Sequence, residues 1–166
     1  MELLLRDAGA TDALGAGLAR AWIAAGYSSA ALHLRGELGA GKTTCVRSLL
    51  RSLGVDGAVR SPTYTLVEVY ELPAITCVHV DLYRVQGPVE VDELGLRDFL
   101  GADCLLLVEW PERGGGLLPP ADVALALSYR QEARSVLLEA STPCGEAWLD
   151  KFVHDTSLPP YVSNLT

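Results

Sequence analysis

Short apolar runs alternate with helical stripes along most of this chain. Residues 2–6 read as a strand, and Thr11 then stands where a helix N-cap is expected. Leu14, Leu18, Trp22 and Ala25 follow on one helical face, with Gly26 closing the helix. Residues 30–34 form a short apolar run that predicts a buried strand and leads directly into a glycine-rich stretch. Beyond it, Val46, Leu49, Leu50 and Leu53 recur at helical spacing and Gly54 supplies a stop. Residues 63–70 and 75–80 are rich in β-branched and aromatic side chains and predict two further strands. Residues 88–99 carry acids early and apolar residues late, as one helix or two short turns would.

Residues 104–108 are nearly all apolar and predict another strand. Residues 123–129 and 135–140 flank the polar stretch 130–134, the pattern of a β-hairpin. A short helix is expected over 146–153, and residues 157–166, with two prolines, are expected as a flexible tail after a domain spanning 1–156. Strands alternating with helices predict one α/β domain with a mainly parallel central sheet flanked by helices. The late hairpin adds antiparallel edge strands. No internal repeat and no linker interrupts the chain.

Composition narrows the function. The 166 residues are 49% hydrophobic and 20% charged, which fits a globular domain with a real core. No apolar run approaches the roughly 18–20 residues a membrane span requires, and Arg6 and Asp7 interrupt the apolar start before a signal-peptide core could form. Cys45, Cys77, Cys104 and Cys144 are scattered without a CxxC pair, as expected of buried thiols in a reducing cytosol rather than metal ligands. A net charge of −8 disfavours a non-specific nucleic-acid binder. Between Arg35 and Arg60, however, five basic residues (Arg35, Lys42, Arg47, Arg51, Arg60) face two acids, Glu37 and Asp56. An anion could be held there, although Arg47 and Arg51 fit a solvated helix face equally well.

The chain has eleven arginines and only two lysines, and one of the two, Lys42, lies inside the glycine-rich stretch. Gly36, Glu37, Leu38, Gly39, Ala40, Gly41, Lys42 and Thr43 match GxxxxGK[ST], between a predicted strand and a predicted helix. Glycines there let backbone N–H groups point inward and cradle phosphates, aided by the helix N-terminus. A compact ammonium on a flexible stem reaches the β- and γ-phosphates where a planar guanidinium is too bulky. Thr43 offers a hydroxyl ligand for Mg²⁺. Such a loop needs an acid at the end of a neighbouring strand, and two candidates stand there, Asp81 and Glu109; spacing alone leaves either as a strand-end surface acid. His79 shares a strand face with Asp81 and reads as a hydrogen-bonded structural histidine. Cys45 reads as an inert buried thiol.

The stretches GELGAGKTT, SPTYTLVEVY, HVDLYR and VEWPER, in that order, resemble the TsaE family over residues 10–129. The resemblance implies a P-loop NTPase-like fold and a Mg²⁺-dependent ATPase, holding ATP or ADP. Such a subunit supports the TsaD and TsaB proteins in making threonylcarbamoyladenosine in tRNA. It implies Thr43 and Glu109 around Mg²⁺, with Asp81 orienting a metal-bound or attacking water, and Lys42, Asp81 and Glu109 as the catalytic set. Nucleotide would lie along the loop from Gly36 to Thr44, with its base near Thr11, Glu112 and Arg113. Thr63 and Thr65 fall in a segment with a switch role, and Trp110 follows the metal acid as a nucleotide or partner contact. The stretch GGGL after Arg113 and the C-terminal tail have no counterpart in the pattern.

A GTPase would need a guanine-reading NKxD motif, and the only asparagine is Asn164. A small-molecule kinase needs a second substrate pocket and usually an Arg-rich lid; residues 88–100 show no clear lid, and the kinase stays a further alternative. A nucleotide-gated adaptor needs the same loop as an ATPase and stays open as the rival. The chain shows no obvious in-chain arginine finger; Arg84, beside Asp81, is the only close candidate. With this net charge, contact with tRNA is expected through partners.

Overall fold

The computed structural model describes residues 1–26, 29–99, 103–157 and 162–164. Eight strands form one sheet: β1 (Glu2–Leu5), β2 (Ala30–Gly36), β3 (Val67–Leu72), β4 (Ile75–Asp81), β5 (Cys104–Glu109), β6 (Val123–Arg130), β7 (Ala133–Ala140) and β8 (Val162–Asn164). Their spatial order is β3-β4-β5-β2-β6-β7-β1-β8. The centre, β4-β5-β2-β6, is parallel, and the strands outside it pair antiparallel. Helices α1 (Ala8–Ala25), α2 (Lys42–Ser52) and α5 (Pro143–Val153) are joined by the short α3 (Pro88–Glu93) and α4 (Leu96–Phe99). This is a mixed α/β single domain.

Burial explains the strand patterns. Every residue of β5 is buried, because the sheet centre is covered on both faces. One face packs Leu32, Leu34, Leu105 and Leu107 with Leu14, Leu18, Leu49, Trp148 and Phe152 from the long helices. The other packs Val78, Val80, Leu106 and Val108 under Val85, Val91 and Leu96. β6 alternates instead, since only one of its faces meets the helices. Helices α1 and α2 come close because residue 15 is glycine; a Cβ there would collide with the Cys45 carbonyl oxygen.

Several expected boundaries are corrected. Asp7, not Thr11, caps α1: its Oδ1 accepts from the Ala10 N–H at 2.8 Å, so the helix starts a turn earlier and Thr11 lies within it. The strand expected from residue 63 begins at Val67. Leu66 has φ 64°, and its N–H turns back to the Pro62 carbonyl at 2.6 Å, which makes residues 62–66 a turn. Residues 88–99 form two helices separated at Gly95, φ 62°. α5 starts before residue 146 because Thr142 caps it, Oγ1 accepting from the Gly145 N–H at 3.1 Å, with Pro143 first in the helix. The hairpin turn tightens to Gln131 and Glu132, with Gln131 at φ 57°. Of the tail expected from residue 157, Val162–Asn164 pairs with β1, while 158–161 and 165–166 lie outside the described residues. Among the described residues no helix is long and apolar enough to cross a membrane.

Candidate functional site

The parallel strands β2, β4 and β5 end side by side, and their C-terminal ends carry the expected chemistry. β2 runs into the glycine-rich loop, and α2 begins at Lys42. Gly36 has φ 136° and a Cβ on it would collide with the Leu127 carbonyl oxygen, so no larger residue fits this first loop position. The Lys42 side chain is buried, and its Nζ donates to the carbonyls of Gly36 at 2.6 Å and Glu37 at 2.9 Å. The Trp110 ring centroid lies 3.9 Å from the same nitrogen. Burial lowers the Lys42 pKa, against the opposing pull of Glu109, Glu112 and Asp81. The ammonium is thus folded onto the loop that carries it.

Asp81 and Glu109 are direct register partners on β4 and β5, and both are buried. Glu109 is gripped by regular structure. Thr43 Oγ1, on α2, donates to its Oε2 at 2.9 Å, and His79 Nε2, on β4, lies 2.9 Å from Oε1. The other ring nitrogen of His79, Nδ1, is buried in the core without a partner. Asp81 is held by a turn instead: the hydroxyls of Ser61 and Thr63 each lie 2.8 Å from Oδ2, and the Tyr83 N–H donates to Oδ1 at 3.0 Å. A hydroxyl and two carboxylates are hard oxygen donors, the set that Mg²⁺ prefers, so these residues fit the ion.

These groups line a cavity of about 420 Å³. Leu38, Gly39, Gly41, Lys42, Thr43 and Thr44 form its loop wall, and Asp81 and Glu109 lie across from them in the lining. Glu37 contributes through its carbonyl and Ala40 is buried behind the loop. Trp110 takes the left-handed conformation, φ 59°, and its N–H is pinned to the Leu34 carbonyl at 3.1 Å. Its ring tilts against Tyr83, 5.1 Å between centroids. Glu112 and Arg113 follow in the 3-10 turn Pro111–Gly114 and stay exposed, outside the cavity lining. Arg113 instead stacks near Tyr83 and Trp110, its Cζ 5.2 and 5.7 Å from the two rings. Thr65 turns away from Asp81 to Glu68, at 3.2 Å. Cys45 is fully buried, with its thiol pushed up to about 12 by burial and then by Glu109 and Asp12.

Thr11 packs behind the loop, its Cγ2 3.2 Å from where a Gly41 Cβ would stand, and its buried Oγ1 has no partner. Arg134 reaches the same place from β7, and its Nε is likewise buried and unpartnered. Tyr129, opposite Arg134 in the hairpin, donates its hydroxyl to the Leu38 carbonyl at 3.2 Å. Neither hairpin residue stands out in the sequence, where 130–134 reads only as a polar turn. Their signal is the strand register, which puts residue 134 beside a loop ninety-odd positions earlier.

The family model for TsaE, threonylcarbamoyl adenosine biosynthesis protein, matches residues 5–136. The chain is 43% identical over 121 residues to the tRNA threonylcarbamoyladenosine biosynthesis protein TsaE of Haemophilus influenzae, covering 73% of this chain and 77% of that one. It is 42% identical over 106 residues to the protein of that name from Aquifex aeolicus, covering 63% and 71%. The crystal structure of a Bacillus protein, YdiB, superposes with a TM-score of 0.71 over 93% of this chain and 94% of that one. At 23% identity that likeness speaks for the fold.

Proposed function

Because this chain belongs to the TsaE family of threonylcarbamoyl adenosine biosynthesis proteins, we propose that it is the Mg²⁺-dependent ATP-binding and hydrolysing subunit of that pathway. The observation that carries this reading is the contact of Thr43 with Glu109 directly beneath a glycine loop that cages a buried lysine. Phosphates fit against the loop N–H groups, and Lys42 exchanges its two carbonyl partners for β- and γ-phosphate oxygens. Thr43 and Glu109 would hold Mg²⁺, with Asp81 beside them; the ion, when bound, neutralises charge on the phosphate oxygens. Asp81 orients the attacking water, once the hydroxyls of Ser61 and Thr63 release an oxygen to it. The base is placed beyond the loop towards Thr11 and Arg134, whose buried, unpartnered polar atoms must be uncovered before they can hydrogen-bond to it.

The chain works in the cytoplasm with the TsaD and TsaB proteins, and tRNA is met through them because a net charge of −8 repels a phosphate backbone. The cavity mouth supports partner dependence: Leu38 and Tyr64, on its rim, are 67% and 83% exposed, and a partner that covers them would exclude water. A nucleotide-gated adaptor is the second reading, favoured by the full set of donors already on Asp81. Calorimetry with Mg²⁺-ATP and Mg²⁺-GTP, and phosphate release with and without a TsaD–TsaB pair, test these readings. The expected result is preference for adenine nucleotide and slow release that the pair accelerates. Equal or tighter GTP binding, or no release under any condition, contradicts the ATPase.

A further inference from the structure

Arg84 follows Asp81 by three positions and lines the same cavity as Lys42 and Thr43. It is exposed, and among the described residues it makes no hydrogen bond or ion pair, only a ring contact: its Cζ lies 4.2 Å from the centroid of Tyr64. Tyr64 is 83% exposed, so burial of apolar area does not account for its place at the mouth. Its backbone, in contrast, is fixed on both sides. Ser61 and Thr63 are tied to Asp81 Oδ2, and the Asp81 N–H donates to the Leu66 carbonyl at 3.0 Å. One short turn therefore touches an acid of the site through its hydroxyls and a cation of the site through its ring.

Charge gives that arrangement a purpose. The lining holds two cations, Lys42 and Arg84, against two carboxylates, Asp81 and Glu109. Lys42 is a single point charge shared between the β- and γ-phosphates in the reading above. The Arg84 guanidinium, stacked on Tyr64 but without a hydrogen bond or ion pair among the described residues, is a planar fork, the shape that matches phosphoryl oxygens. We infer that Arg84 is the cation that meets the transferring phosphoryl group, and that Tyr64 positions it by stacking on the guanidinium. This rests on the hydrolysis reading above. In that step the water oxygen bonds to the γ-phosphorus and the bond from that phosphorus to the bridging oxygen breaks. The electron pair passes to ADP, and the water proton leaves with phosphate. Arg84 forms no covalent bond; it offsets the charge spread over the γ-phosphoryl oxygens.

The test is single-turnover hydrolysis of labelled Mg²⁺-ATP by excess full-length protein, alone and with a TsaD–TsaB pair, alongside calorimetric affinities. Arg84→Ala is expected to slow hydrolysis by about 10³-fold while Mg²⁺-ATP affinity stays near the parental value. Millimolar guanidinium ion restores part of the rate to Arg84→Ala and none to Lys42→Ala. Tyr64→Ala lowers the rate about fivefold, and Tyr64→Phe, which keeps the ring, recovers most of that loss. Both side chains are exposed, so the variants keep the fold, which circular dichroism verifies. An Arg84→Ala protein that hydrolyses bound ATP at the parental rate overturns the assignment while the ATPase reading stands. Loss of affinity in place of rate also overturns it. A parent protein that binds ATP and hydrolyses none, even with the pair, removes both.

Discussion

Glu109 and Asp81 face each other across one strand pairing, yet the surroundings that hold them differ in kind. Glu109 is gripped by a helix and a strand, through Thr43 and His79. Asp81 is gripped by a turn and a following loop, through Ser61, Thr63 and Tyr83. The first set is built into the core: His79 is fully buried and α2 packs on α1. The second set can be exchanged without opening the core, because residues 62–66 belong to no strand or helix. One half of the site is therefore preformed and the other half is conditional on a loop. That is the division expected of a site that holds its ligand steadily and acts only in one loop state.

The largest test of this division is Lys42→Ala, on the preformed side. On the ATPase reading it removes the loop charge that bridges the β- and γ-phosphates, so hydrolysis should be abolished, a drop of more than about 10³-fold. Phosphate release at the parental rate would remove the loop from the mechanism. Next comes the acid pair itself. Glu109→Ala should weaken Mg²⁺-dependent nucleotide binding, while Asp81→Ala should slow hydrolysis with nucleotide still bound. Mg²⁺ titrations of both variants decide the matter, and identical losses in the two would erase the contrast.

The smallest test carries the contrast to two buried histidines. His79 has a carboxylate partner, whereas His33 Nε2 has none. Burial, and then Arg35, push the His33 pKa from 6.5 down to about 4, with Asp122 opposing. The folded value lies below the unfolded one, so between these limits the unfolded chain takes up a proton that the folded chain refuses. Stability is then complete above about pH 6.5 and falls by up to about 3 kcal/mol on acidification to about pH 4. Urea midpoints across that range should drop less steeply for His33→Gln than for the parent. Parallel slopes would place the acid sensitivity elsewhere.

Legibility in the sequence divides along the same line. The glycine loop, Lys42, Thr43 and both strand-end acids were readable, because each sits at a junction marked by a change of apolar period. His79 was readable as a structural histidine, though its partner was not, since spacing along β4 says nothing of β5. Residues 63–66 read as strand because Thr63, Tyr64 and Thr65 have β-forming side chains; hydrogen bonding to Asp81 and the left-handed Leu66 outweigh that preference and make them a turn. Thr11 has the side chain of a cap, but Asp7, one turn earlier, takes that role. Arg134 could not be found without the register of the hairpin. Local chemistry was visible. Long-range pairing was not.

The position of β2 bears on how the protein is made. Its two neighbours, β5 and β6, both come later in the chain, the second ending at Arg130. On a ribosome, the apolar strand that launches the glycine loop emerges early and stays without its first hydrogen-bonding neighbour until roughly seventy further residues have followed, and without its second until roughly ninety have. Its burial is a late event with a high loop-closure cost, and until then it is a sticky, unpaired segment. The strand that launches the glycine loop is thus open to faulty association through much of synthesis.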